Sequence, residues 1–551
     1  MKSHSSNSRK TLVDRFEEVQ DEVREGRNSA CSRYAANTLG FFHRTVLPYV
    51  FPVKDVQLPP VAYLEGDEYW GKLGDVFSPD GRGFDRIIVA AAPIAEKNAH
   101  GIAYWRFGPK KVVVLVTQPA DIKTIVKDNF ANIHFHDSTG SFKMFFGPDS
   151  IFNSPHNSEN WKHLRQRFKL ALLTDSALGK DIAPMQRIID GVIARIVQKQ
   201  DHTIDDLEQF SNSLTMDMIG KTKLGFEHID ENIKKRISDI IAEATVEVAN
   251  PRNQLIDEYL PFVKYFYKSH LKVLLDQGFD VLRNNIIKPN EKNIRETDNW
   301  LHEEGSAERL DLYSQKTIFE ITQFLVAGHE TTAKLLLMSL LLLGDAQHRD
   351  VLEKVYTEIL SQGISPQEWT TENLNNMPYL TAVLKETLRL YPPIPDILFK
   401  VAKPFSFAAG SLNKDDIVVI SPRITHRNKA IFGEDADLFR PERFLEKSFG
   451  EFENFTFGFM PRPCPGQRFS MQEVKLTLAR LIALFDIKHD LQFPFPHHQI
   501  FTLRVDLEDI KMKFHLRSSL EHEAKQSSSN ANLGQPPGLL SESDMRSSFR
   551  L

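Results

Sequence analysis

The sequence predicts a mainly α protein with small β-sheets, built as a single large domain. Three observations carry this reading. Long stretches repeat their apolar residues at helical spacing, as after Gly466, where Phe469, Val474, Leu478, Leu481, Ile482 and Phe485 follow a helical period. Few runs read as strands: Lys110 to Val116 (KKVVVLV), Asp415 to Ser421 (DDIVVIS) and the alternating Ile510, Met512, Phe514 and Leu516. Between the breaker at Pro59 and Pro60 and about residue 516, no linker, repeat or shift of composition divides the chain.

Composition narrows the class. Of 551 residues, 41% are hydrophobic and 26% charged, as in ordinary globular proteins. With a net charge of -5, nothing suggests nucleic acid or a strongly anionic surface as a partner. The 39 phenylalanines suit a large core and, more specifically, a lipophilic pocket. Cys31 and Cys464, the two cysteines, lie far apart and make no disulfide framework, which fits a reducing, cytoplasmic setting. The opening MKSHSSNSRK is not a secretory signal.

The elements follow in order. Residues 1–50 read as an N-terminal extension, with Leu12, Phe16, Val19 and Val23 on one face of an amphipathic helix. The run from Tyr34 to Val53 is interrupted by Asn37, His43 and Arg44, too polar to span a bilayer. Its Phe41, Phe42 and Val46 would allow peripheral membrane contact. Residues 51–517 form the main domain. Within it, Leu335 to Leu343 (LLLMSLLLL) is too short to span, follows Lys334 and reads as a buried helix. Residues 518–551, rich in Ser, Asn, Gln and Pro, read as a disordered tail.

Five short motifs carry chemistry. In NWKHLRQRF, Trp161 and Arg165 stand at i and i+4 on one helical face. In FLVAGHETT, a carboxylate and a hydroxyl (Glu330, Thr331) interrupt an apolar helix beside the small Ala327 and Gly328; such groups need partners or a task. In KETLRLYPP, Glu386 and Arg389 form an i, i+3 pair, and FRPERF supplies Arg443. The fifth motif, FGFMPRPCPG, fences Cys464 between two prolines. Pro465 suits the first position of the following helix, so Cys464 would sit at a helix N-terminus. There the dipole and the N–H groups of Gly466 and Gln467 would stabilise a thiolate. Gly466 lets a flat group approach the backbone, and Arg462 adds positive charge. One thiolate alone does not make a four-ligand zinc site.

This last stretch resembles the cysteine-ligand loop of the cytochromes P450, the haem-thiolate monooxygenases. Phe457, Arg462, Cys464 and Gly466 match the family pattern, and Met460 stands where the family usually has glycine. The other four motifs resemble the family's in order and spacing, and the likeness covers roughly residues 100 to 516. It implies the cytochrome P450 fold and haem b (iron protoporphyrin IX), with Cys464 as iron ligand. It implies Trp161, Arg165 and Arg462 as propionate contacts, with Lys400 as a further candidate. Ala327 and Gly328 would border an oxygen groove, Glu330 and Thr331 would deliver protons, and Glu386, Arg389 and Arg443 would form a structural triad.

The implied reaction inserts one atom of O2 into a small apolar substrate such as a fatty acid, sterol or terpenoid. Phe145, Phe146, Phe152, Ile394 and Ile397 are the expected pocket residues. Electrons would come from an external donor, a ferredoxin, a flavodoxin or a P450 reductase, docking near Lys162, Arg167, Arg468, Lys475 and Arg480. Two rivals are a family member that isomerises, dehydrates or uses peroxide, against which Glu330 and Thr331 argue, and a haem sensor without turnover. His134, His136, His497 and His498 read as loop histidines, since no carboxylate or cysteine partners stand at ligand spacing. Met460 is expected at an ordinary φ, because Pro461 restricts it to extended backbone and Pro463 does the same to Arg462.

Overall fold

A computed structural model describes residues 56–65, 82–107, 111–135, 140–249, 270–297, 299–301, 311–363, 368–499, 502–507 and 510–517. The helix expected near residues 10–25, the stretch from Tyr34 to Val53, Cys31, His136 and the tail from residue 518 lie outside the described residues.

A five-stranded sheet gathers one side of the molecule. Its strands are β1 (Ile102–Arg106), β2 (Val112–Val116), β3 (Ile133–Phe135), β4 (Ile397–Val401) and β5 (Ile417–Ile420), in the order β1-β2-β5-β4-β3. β2 and β5 run parallel, Val113 opposite Ile417, and the other pairs are antiparallel. Every residue of β2 is buried, as expected for a β-branched run covered on both faces. Both strands are shorter than the sequence suggests at their charged ends. Asp416 instead accepts from the backbone N–H of Val112 (3.3 Å) and of Asn413 (2.8 Å), tying the two strand starts together. Helix α1 (Gly83–Lys97) packs against β1 and β2.

The rest is helical. α2 (Gly140–Phe146) leads to α3 (Glu159–Leu172), whose N-cap Ser158 accepts from the N–H of Trp161. α4 (Asp175–Gln198) is capped by Thr174 and α5 (Leu207–Ile219) by Asp206, each satisfying an otherwise free helix donor. α6 (Glu231–Ala249) and α7 (His270–Val281) pack side by side. The central α8 runs from Gln315 to Gly344, far beyond the leucine run read from sequence. By length and composition it could cross a membrane, yet most of its apolar window is buried in the protein, with Leu335 to Leu343 inside the main core. Its middle turn, Leu325–Glu330, is wound as a π-helix.

α9 (Pro378–Leu390) and α10 (Gln467–Leu484) pack on α8. α10 continues into β6 (Phe485–Lys488). A hairpin of β7 (His497–Gln499) and β8 (Leu503–Val505) follows, then β9 (Met512–Leu516), antiparallel to β6. The alternation expected at the C-terminal end holds: Ile510, Met512 and Phe514 are buried, with Lys511 and Lys513 exposed between them.

Candidate functional site

The cysteine loop is a short, tightly bonded turn. Gly458 N–H donates to Phe455 O (2.7 Å), Arg462 N–H to Phe459 O (3.0 Å) and Cys464 N–H to Phe457 O (2.7 Å). Positive φ falls on Gly458 (+74°), while Met460 keeps an ordinary φ, is 56% exposed, and its N–H donates to Glu451 Oε1 at 2.8 Å. The glycine that this turn requires is thus two residues before Met460. α10 begins at Gln467 with Gly466 as N-cap, so Pro465 precedes the helix and does not open it. Sequence reasoning placed the helix start two residues early because proline and an N-capping glycine compete for adjacent positions.

The N–H groups of Gly466 and Gln467 do bond the Cys464 sulfur, and Arg165 lies near enough to favour its anion. Burial pushes the thiol up from its usual value, and these N–H groups and Arg165 pull it back down. Cys464 as a residue is exposed. A Cβ at Gly466 would lie 3.8 Å from that sulfur.

Trp161 and Arg165 project from α3 toward this loop. An Arg165 Nη donates to Pro463 O (2.6 Å), and an Arg462 Nη donates to Ser154 O (2.8 Å) and Ile151 O (3.1 Å). The Arg462 guanidinium lies 5.3 Å from the Trp161 ring centre. Burial and then the charge of Arg165 push Arg462 down to about 10, and burial also lowers Arg165. Two partly buried guanidiniums that destabilise each other favour an anion between them. Lys400 is placed elsewhere: it stands on β4 and pairs with Asp415 at 3.2 Å.

On α8 the motif splits between two sides. Ala327 is exposed, and Gly328 and Thr331 are half-buried, forming one open face in a largely buried helix. The Thr331 hydroxyl donates to Ala327 O (2.7 Å). A Cβ at Gly328 would stand 3.1 Å from Ile219 of α5, so this glycine serves helix packing as well as clearance. Glu330 is buried and turned off the open face. Its Oε1 accepts from Thr502 Oγ1 (2.7 Å) and faces an Arg504 Nη (3.1 Å), whereas Oε2 has no hydrogen-bond partner. Glu330 and Thr331 therefore do not form an adjacent pair, because successive helical side chains point about 100° apart. His329, not singled out in the sequence, is buried behind the same turn. Its Nδ1 donates to Leu325 O (3.0 Å), leaving Nε2 to accept from Ser238 Oγ (3.2 Å), and burial lowers it to about 4.

Glu386, Arg389 and Arg443 lie together, all buried. Arg389 Nε and an Nη donate to Glu386 (2.7 and 2.8 Å), and Arg443 Nε donates to Glu386 Oε1 (2.9 Å). The other Arg389 Nη donates to His426 O (2.7 Å) and Ala436 O (2.6 Å). The sequence reading missed His426. Its Nε2 accepts from the N–H of Phe455 (3.0 Å), the residue that opens the cysteine loop. Burial, then Arg389 and Arg427, lower it from the usual 6.5 to about 3.

The remaining expected site residues lie on several elements. Phe145 and Phe146 are buried in the main core with ring centres 4.6 Å apart and tilted by 51°, while Phe152 and Ile394 keep some accessible surface. Ile397 belongs to the sheet core, opposite Ile420. Of the basic residues expected to dock a donor, Lys475 is buried against Leu374 O and Arg480 against Asp190. Arg167 lies on the Trp300 ring and faces Glu320. Only Lys162 and Arg468 are exposed, and both pair with carboxylates, Glu159 and Asp175. His497 and His498 bond Phe495 O and Asp506, and among the described residues no group of three metal-ligating side chains occurs.

Comparison with known proteins gives a family model described as Cytochrome P450 that matches residues 95–512. A bifunctional cytochrome P450/NADPH–P450 reductase from Gibberella moniliformis is 34% identical over 40% of this chain and 21% of its own length. Cytochrome P450 CYP749A22 from Panax ginseng is 28% identical over 72% of this chain and 77% of its own. Secologanin synthase 1 from Catharanthus roseus is 28% identical over 56% and 61%. The chain thus spans about a fifth of the bifunctional relative and more than half of the other two.

Two predictions follow from this geometry. Gly458→Ala places a side chain at positive φ and costs about 1–2 kcal/mol, whereas the exposed Met460→Gly costs less than about 1 kcal/mol; chemical denaturation of both variants measures the difference. Neutral, buried His426 must take up a proton on unfolding wherever pH lies between its folded value, about 3, and the usual 6.5. Stability is therefore lost as pH falls through that window, by up to about 1.4 kcal/mol per pH unit. His426→Gln should flatten the acid side of the stability profile by about that slope, and an unchanged slope would contradict the assignment.

Proposed function

The chain belongs to the cytochrome P450 family, and from that premise we propose that it is a haem-thiolate monooxygenase inserting one atom of O2 into an apolar, lipid-like substrate, with electrons from a separate redox partner. The observation that carries this reading is the convergence of Cys464, its two backbone N–H donors and the Arg165–Arg462 pair beside Trp161. The donor set fits haem b: one sulfur to ligate iron, two guanidiniums for two propionates, and no bulk at Gly466 beside the sulfur. A bound haem supplies the redox chemistry, O–O cleavage with transfer of one oxygen atom to substrate and reduction of the other to water.

The chain's own residues do the rest. Cys464, with the N–H groups of Gly466 and Gln467 at its sulfur and Arg165 nearby to favour the anion, would hold the haem iron. Arg165 and Arg462 are anchored on loop carbonyls and fix the orientation of a carboxylate-bearing ligand. Ala327 and Thr331 present a small, open surface, and Thr331 places a hydroxyl there. Phe152 and Ile394, with accessible surface beside an aromatic core, support an apolar substrate: fatty acid, sterol or terpenoid. Of the residues expected to meet a ferredoxin, flavodoxin or P450 reductase, Lys475 and Arg480 are buried and Arg167 half-buried, which leaves Lys162 and Arg468 exposed.

The test is spectroscopic. The reduced carbonyl complex should show the red-shifted Soret band of haem-thiolate proteins, and Cys464→His should abolish it while retaining haem. Survival of the band in that variant would rule out Cys464 as the ligand. Thr331→Ala should bind haem normally and divert electrons to peroxide; unchanged coupling would remove Thr331 from proton handling.

A further inference from the structure

Glu330 is held from behind by the C-terminal hairpin. Among the described residues, Arg504 is the one cation within ion-pair distance of its carboxylate. Thr502, just before β8, donates to the same oxygen. The other oxygen is buried and lacks a partner, an arrangement that costs roughly 1–3 kcal/mol. The carboxylate thus stays in this pocket because Oε1 is well bound, not because the pocket satisfies the whole group. The remaining charged neighbours are accounted for. His329 is neutral and bonded to Leu325 O and Ser238. Lys334, one turn on, pairs with Glu208 of α5.

Arg504 also reaches a third element. The Nη that faces Glu330 lies 3.3 Å from Thr245 Oγ1 and 3.4 Å from Ala242 O, both on α6. Two turns earlier on α6, Ser238 meets His329. α8, the β7–β8 hairpin and α6 therefore share one polar junction directly behind the open face.

We infer that Thr502 and Arg504 are positioning residues that dock the Glu330 carboxylate off the open face of α8, away from Thr331, and tie it to α6. The link to proton delivery rests on the monooxygenase reading, but the docking can be measured without turnover. A buried carboxylate deprived of its cation takes up a proton. In the ferric holoprotein at neutral pH, infrared difference spectra should show no protonated-carboxyl stretch that Glu330→Gln removes. Arg504→Gln should gain such a band, equivalent to one carboxyl per chain, and the double variant Arg504→Gln/Glu330→Gln should lose it. Arg504→Lys should restore the wild-type spectrum, which a merely structural loss would not do. If Arg504→Gln does not fold, Thr502→Val provides a second reading: the carboxylate stretch assigned to Glu330 should shift as its hydroxyl donor is lost. No protonated band in Arg504→Gln, or no shift in Thr502→Val, overturns the inference. A missing thiolate Soret band would instead sink the monooxygenase reading and leave the infrared result standing.

Discussion

A single carboxylate without access to solvent, Glu386, organises the cysteine side of this molecule. It binds Arg389 and Arg443, and all three side chains are essentially excluded from water. Burying such charges is costly, and removing one partner of a buried set typically costs about 3–5 kcal/mol. The return is positional. The two guanidiniums, fixed by one anion, use their remaining donors on the carbonyls of His426, Phe432, Asp435, Ala436 and Leu438. Those carbonyls set the path of the segment leading to the cysteine loop. His426 then passes the constraint on through its ring, which accepts from Phe455.

The same preference for buried charge runs through α10. Gln472, Glu473, Lys475 and Arg480 are all buried, and burial and then Asp181 push Glu473 well above the usual carboxylate range. Neither Glu473 oxygen has a hydrogen-bond partner, so the neutral acid is the form that fits. Nearby, Lys223 and Asp181 pair at 2.5 Å; burial raises the acid and lowers the amine, so the pair is held against desolvation on both sides.

How much of this was legible in the sequence depends on distance along the chain. Motifs whose meaning lies in local spacing were readable: Trp161 with Arg165, Glu386 with Arg389, and the prolines and glycines around Cys464. The strands were readable from β-branched runs, and their ends were misread where Asp416 takes over backbone donors. Partners far apart in sequence left no signal. Nothing near Glu330 announces Thr502 or Arg504, and nothing near Phe455 announces His426. Lys475 and Arg480 looked like surface charge because residue type predicts exposure; their burial depends on acceptors supplied by Leu374 and Asp190.

The split of the α8 motif has a consequence for Thr331. Its hydroxyl hydrogen is committed to Ala327 O, inside a turn whose π winding shifts backbone bonding from i+4 to i+5. A hydroxyl whose single hydrogen is so engaged presents only lone pairs to the open face. Thr331 is therefore set as a hydrogen-bond acceptor there, and it donates outward only if another group takes over Ala327 O or supplies a second proton. Glu330, docked one residue away in sequence but on another side of the helix, cannot supply that proton from where it stands.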